Sequence, residues 1–253
     1  MVSFETFQPD FDALAGMTDV QAALIFHLLL KCQEKEGVTG PMLEIGPYKG
    51  KSAIVLAHHM TASERLDLID VHPYLEADAF AAFGDRVRLY IGSSDDLQTL
   101  LPGYDQSAGA YRFIHTDASH TFDNVVNDLM HADRLLHPLG VVSVDDYENK
   151  NYPQVPIAVG CALFAKGVDL RPFLVSSKKM FLCRQAQWNT FMSLTAHQIA
   201  PQMHQRFGYA VARTDLNERA PLSIREPDPS DEGGIYAPGL YGHYVTRFYP
   251  ENM

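Results

Sequence analysis

The chain has 253 residues, of which 46% are hydrophobic and 20% charged, enough for one sizeable domain with appendages around an ordinary core. Its 20 Lys and Arg against 31 Asp and Glu leave a formal charge of -11. Such a chain is repelled by phosphate backbones and anionic lipid, so neither nucleic acid nor a membrane is an expected partner. Cys32, Cys161 and Cys183 are odd in number and far apart. They make neither a disulfide framework nor a zinc spacing, and with no signal-peptide pattern the expectation is a cytoplasmic protein.

Residues 1–16 are aromatic and read as irregular. Residues 18–36 predict a buried helix with Thr18 or Asp19 as N-cap, punctuated by Gly37, Gly40 and Pro41, so that 1–36 forms an N-terminal helical segment. Short apolar runs at 42–45, 66–71, 87–91, 111–115 and 141–144 then alternate with helical stretches near 51–60, 75–83, 94–101 and 122–137. A helix near 156–166 precedes two strands, 171–176 and 179–184, joined by Ser177-Lys178. This alternation predicts an α/β fold: a doubly wound, Rossmann-like, mostly parallel sheet of about seven strands, with the ligand-binding catalytic domain at 37–184. After it, Trp188, Phe191, Met192, Leu194, Ile199 and Met203 form a helical apolar stripe, and 221–253 is rich in Pro, Gly and Tyr. The extension 185–253 reads as a lid, a substrate wall, a subunit contact or a plain surface wrap. Trp188, Tyr236, Tyr241 and Tyr244 suit either stacking on a substrate or packing on the core.

The first strand runs into Leu43-Glu44-Ile45-Gly46-Pro47-Tyr48-Lys49-Gly50-Lys51-Ser52. Gly46 and Gly50 allow a sharp turn and a close ligand approach, and the helix starting near Ser52 offers unpaired N–H groups. The dinucleotide fingerprint needs a third glycine, and the spacing is not that of a P-loop. S-adenosylmethionine carries no phosphate, but it has an ammonium and a sulfonium that Glu44 could help hold through the loop. Asp70, ending the second strand 20 residues past Gly50, is placed to accept ribose hydroxyls. Gly92-Ser-Ser94 at the third strand end suits an adenine edge. Each feature alone could be a tight turn or a helix cap. Their order at consecutive strand ends points to a nucleoside.

Two further strand ends are acidic: Asp117-Ala-Ser-His120 and Asp145-Asp146. Between them Phe122, Val125, Leu129, Ala132 and Leu136 recur at helical spacing, so the two strands form a strand–helix–strand unit. If adjacent, they lie about 5 Å apart and bring Asp117, Asp145 and Asp146 into one crevice. Such carboxylates either hold a hard divalent ion, Mg²⁺ first, or cap helices and turns. His120 suits a general base, or it caps the helix that follows. His115, on the strand, reads as packing.

These residues together resemble the class I S-adenosylmethionine-dependent O-methyltransferases. The likeness is closer to the metal-dependent group that includes catechol and macrocin-type sugar O-methyltransferases. It spans about 18–184 and implies a cofactor site at Glu44, Gly46, Tyr48, Gly50, Ser52, Asp70, Gly92, Ser94 and Asp117. It further implies a Mg²⁺ or other divalent site at Asp117, Asp145 and Asp146, with His120 as the base. The Asp145-Asp146 pair departs from the Asp-Asn of the catechol enzymes, so their substrate does not carry over. The expected activity is methyl transfer to a hydroxyl of a small molecule, such as a sugar, a glycoside or a phenolic natural product; the alternatives are a metal-independent methyltransferase on the same fold or a non-catalytic protein that binds the nucleoside. The expected assembly is a homo-oligomer.

Overall fold

The structure, a computed structural model, describes residues 2–213 and 221–226. Helices α1 (Phe4–Ala13) and α2 (Val20–Lys35) precede β1 (Met42–Ile45), α3 (Ala53–His58), β2 (Leu66–Asp70), β3 (Val87–Ile91) and α4 (Leu97–Leu100). Then come β4 (Tyr111–Thr116), α5 (Phe122–Leu135), β5 (Leu136–Val144), α6 (Gln154–Phe164), β6 (Leu170–Ser176) and β7 (Lys179–Arg184). Helices α7 (Trp188–Leu194) and α8 (Ala200–Phe207) lead to β8 (Ala210–Arg213) and β9 (Leu222–Arg225). All nine strands form one sheet in the order β3-β2-β1-β4-β5-β7-β6-β9-β8. The β3–β5 half is parallel, and β7 runs antiparallel to β5 and β6.

The expected doubly wound fold is present, with nine strands among the described residues in place of about seven. The addition is β8 and β9, which extend the far edge where Leu174 pairs with Leu222. Leu222 and Ile224 are buried there, so a segment read from composition as tail contributes to the core. The stripe from Trp188 to Met203 packs in the same core layer as α1, α2 and α3, and the second layer belongs to α4, α5 and α6. Tyr236, Tyr241 and Tyr244 lie outside the described residues. Among the described residues no helix is long and apolar enough to cross a membrane.

Residues 4–13 are helical rather than irregular. Phe4, Phe7 and Phe11 recur at helical spacing and are buried, which outweighs the cost of Pro9 within the helix. The terminal carbonyls of this segment find a donor in the glycine loop: Lys51 Nζ donates to the Phe11 and Leu14 oxygens at 3.0 and 2.8 Å. Its ammonium also stands 4.4 Å from the Phe11 ring centroid. The expected helix α2 forms with Asp19 as N-cap, its carboxylate accepting from the Ala22 N–H at 2.7 Å.

At the amino end of the parallel strands, Arg112 is fully buried. Its guanidinium donates to Glu64 Oε1 (2.7 Å), Glu64 Oε2 (3.1 Å) and the His59 carbonyl (2.7 Å). Burial alone would raise the Glu64 carboxyl. The guanidinium and the Thr61 and Gly40 N–H groups outweigh it and hold the acid below its ordinary value. Removing one partner of such a pair strands a buried charge. Arg112→Met is therefore expected to cost about 3–5 kcal/mol, lowering Tm by roughly 6–20 °C in differential scanning calorimetry.

Candidate active site

The sheet order reverses between β1 and β4, and open α/β sheets bind ligands at the carboxyl ends of strands beside such a point. A cleft of about 360 Å³ lies there. Its walls include Gly46, Tyr48, Asp70, Gly92, Ser94 and Asp117, so six of the nine residues expected at the cofactor come together. The other three, Glu44, Gly50 and Ser52, stand behind this wall. Glu44 and Ser52 are buried, and the Ser52 hydroxyl donates to Glu44 Oε1. Glu44 thus acts through the loop backbone. Burial pushes its carboxyl up to about 7 against the Ser52 hydrogen bond, and its Oε2 has no partner.

Backbone geometry explains the glycines. Gly46 has φ +85°, and a Cβ there would stand 2.1 Å from the Asp117 carbonyl oxygen. Gly50, at φ +97°, packs so closely on Phe80 that a Cβ would meet the ring at 2.6 Å. Tyr48 also has a positive φ, 49°. Its strained turn is pinned by Asp70, whose Oδ2 accepts from the Tyr48 N–H (3.1 Å) while Oδ1 accepts from the His72 N–H (3.0 Å). Asp70 therefore shapes the loop as well as facing the cleft. Ser94 is buried, and its hydroxyl hydrogen-bonds Asp128 of α5.

The second half of the site is a charged well beside the cleft. His115, Asp117 and Asp145 present atoms that lie within 4.8 Å of one another. His115 Nε2 is 4.0 Å from Glu44 Oε1 and 3.9 Å from Asp117 Oδ2. Burial drives this imidazole down to about 3, so it is neutral. Lys179, at the start of β7 and almost fully buried, places its Nζ 2.6 Å from Asp145 Oδ1. Burial would raise Asp145, but the Lys179 ammonium overrides it and holds the acid well below the carboxylate range. Asp117 moves the other way, raised by burial and by the Asp145 charge.

Asp146 stands apart from that well. Its φ of 53° turns it away, and its Oδ1 accepts from Asn149 Nδ2 at 2.8 Å. Its Oδ2 lies 3.1 Å from His120 Nε2, and Asp117 Oδ1 is 3.8 Å from the same nitrogen. The His120 ring packs on Tyr152, with centroids 4.2 Å apart. The helix N-cap that His120 could have been is Thr121. The expected three-carboxylate metal set is thus divided: Asp117 and Asp145 are together, while Asp146 serves His120. The donors that remain do not fit Mg²⁺. Asp145 Oδ1 already accepts the Lys179 ammonium and the Asp146 N–H at 2.8 Å, and the third neighbour is an imidazole nitrogen.

His115 and Lys179 were not legible as site residues. The signal for His115 was its parity: it lies two residues before Asp117 on one strand and opposite Glu44 in register. Lys179 needed the antiparallel register of β5 and β7, in which Val144 faces Met180 and the next step sets Asp145 beside Lys179.

Residues 43–147 match the family model described as a methyltransferase domain. No curated protein matches the chain by sequence. Among solved structures, the O-methyltransferase NovP superposes with a TM-score of 0.56 at 14% identity, covering 67% of this chain and 81% of its own. TomG from Streptomyces achromogenes, an O-methyltransferase solved with its cofactor, gives 0.52 at 21%, covering 71% and 86%. CalS11, a TDP-rhamnose 3'-O-methyltransferase, gives 0.51 at 15%, covering 66% and 81%. At these identities the likeness is one of fold.

Two expectations test the cleft. Gly46→Ala forces a side chain onto the Asp117 carbonyl and is expected to weaken cofactor binding by at least about 10-fold in calorimetric titration. Asp128 is buried with Oδ1 unpartnered, and burial pushes it up to about 7. Its protonated form suits the fold, so its contribution is full at low pH and is lost as pH rises towards and past that value. Asp128→Asn should therefore flatten the stability profile, shrinking the difference in urea unfolding between about pH 5 and about pH 8 by of the order of 2 kcal/mol.

Proposed function

We propose that this chain, an S-adenosylmethionine-dependent methyltransferase of the class I fold, passes its methyl group to a hydroxyl oxygen of a small molecule. The observation that carries the acceptor chemistry is the Asp146–His120 pair beside the cofactor cleft. Asp146 Oδ2 lies 3.1 Å from His120 Nε2, where its charge favours the imidazolium formed when His120 takes a proton. A hydroxyl bound there gives its proton to His120. Its oxygen attacks the methyl carbon in line, the carbon–sulfur bond breaks, and S-adenosylhomocysteine leaves neutral at sulfur. An amine acceptor would not require such a strongly oriented base, whereas a hydroxyl is a weak nucleophile until its proton is drawn away.

The cofactor half of the mechanism uses Asp70 and the wall from Gly92 to Ser94 for the nucleoside. The loop held by Glu44 and Ser52 aims the methyl. Holding both reactants at fixed separation supplies much of the rate. Mg²⁺, where such an enzyme binds it, acidifies the acceptor hydroxyl. The donor set here does not fit it, and no step is assigned to it. The acceptor is proposed to be a sugar, a glycoside or a phenolic natural product. Supporting this, CalS11 is described as acting on TDP-rhamnose and TomG as belonging to tomaymycin synthesis.

The test is a labelled-methyl transfer assay over nucleotide sugars, glycosides and phenols. His120→Ala is expected to lower kcat by about 10²–10⁴-fold while cofactor affinity stays within about twofold. An unchanged kcat would rule out the assigned base.

A further inference from the structure

We propose that Lys179 is a built-in cation that occupies the place of a divalent ion in the reaction well, so that methyl transfer by this chain needs no metal. The inference rests on the methyltransferase reading above and concerns what neutralises its carboxylates.

Four acidic side chains face this well: Glu44 and Asp117 from the strand ends, Asp145 after β5, and Asp19 at the start of α2. Among the described residues, the only cation buried beside these acids is Lys179, 2% exposed. Its ammonium does what a bound ion would do. It sits 2.6 Å from Asp145 Oδ1 and holds that carboxylate beside Asp117. Asp145 Oδ1 also accepts the Asp146 N–H at 2.8 Å, which fills that oxygen. A divalent ion bridging Asp117 and Asp145 would have to enter next to a fixed positive charge, with like-charge repulsion weakly screened because the well is buried. Of the other potential donors, Glu44 Oε2 is without a partner but is buried behind the cleft wall, and the rest are engaged or unsuited. Asp146 is held by Asn149 and His120, and His115 Nε2 is an imidazole nitrogen without a hydrogen-bond partner, a poor ligand for a hard cation.

Lys179 is too buried to touch the acceptor, so it is a positioning residue. It pairs with Asp145 and so holds that carboxylate beside Asp117, whose backbone meets Gly46 and whose side chain lines the cleft. A lysine on a hairpin strand cannot exchange with solvent as an ion does. Activity should then be indifferent to chelators.

Wild-type protein treated with EDTA and dialysed should keep its transfer rate within about twofold, and Mn²⁺ titration followed by electron paramagnetic resonance should show no stoichiometric site. Lys179→Met removes the cation from the well. It should gain one Mn²⁺ site, lose at least about 10-fold in metal-free kcat and recover part of that with Mg²⁺, while Lys179→Arg stays metal-independent. A stoichiometric Mn²⁺ site in the wild type, or activity lost on chelation and restored by Mg²⁺, overturns the proposal. So does a folded Lys179→Met that neither binds Mn²⁺ nor slows. If Lys179→Met does not fold, the wild-type titration and the arginine variant still decide. The Mn²⁺ measurements require no turnover. Failure of the methyltransferase reading would appear separately, as an absence of transfer to every acceptor.

Discussion

The buried pairing of Lys179 with Asp145 organises the reactive end of this sheet. Strand residues alternate between the two faces, so Glu44, His115 and Asp117 fall on the face covered by α2. The β5–β7 register adds Asp145 and Lys179 to the same row. A row of carboxylates beneath a helix is expensive unless it is compensated, because removing charge from water without a partner costs far more than packing returns. The Lys179 ammonium provides that compensation. Asp117 is then left at the boundary between the buried row and the open cleft, raised by its charged neighbour.

The cleft and the well are joined through the backbone as well as through the Asp117 side chain. Gly46 approaches the Asp117 carbonyl more closely than any Cβ would allow, and the Asp117 N–H donates to the Ile45 oxygen at 2.8 Å. The glycine loop and the loop that follows β4 are therefore held as one surface. Lys51 extends that surface to the N-terminal helix by satisfying its last carbonyls. At the opposite end of the strands, Arg112 and Glu64 anchor the same sheet with a second buried ion pair at 2.7 Å. Electrostatics thus fixes both ends of the parallel half, while the apolar layers between them supply the bulk of the packing.

Most of the cofactor cleft was legible from spacing, because each of its residues ends or follows a short apolar strand and the strands lie in order. Asp70 and the Gly92-Ser-Ser94 turn needed only that order. The acidic cluster was legible in composition and less so in arrangement. Asp145 and Asp146 are neighbours in the chain, yet a positive φ at Asp146 sends the two carboxylates to different partners, one to a lysine and one to His120. Helix α1 was missed because Pro9 and the scattered aromatics mask a helix whose stability comes from burying Phe4, Phe7 and Phe11 against the rest of the fold. The last two strands were missed for a related reason. Ala210–Arg213 and Leu222–Arg225 are only 4 residues each and gain their hydrogen bonds from an existing sheet edge.

The linear pattern alone establishes the alternating α/β architecture, the glycine loop, the acids at the strand ends and the presence of a histidine three residues past an aspartate. Those features are local: they depend on periodicity, on the conformational freedom of glycine and on residues that meet wherever the strands are parallel. Only the tertiary structure decided which charge balances which. His115 enters the well through strand register, Lys179 through an antiparallel pairing with a distant strand, and Asp146 leaves it through a single backbone turn. Electrostatic partnership depends on distances of a few ångströms between groups far apart in the chain, and no linear pattern carries that information.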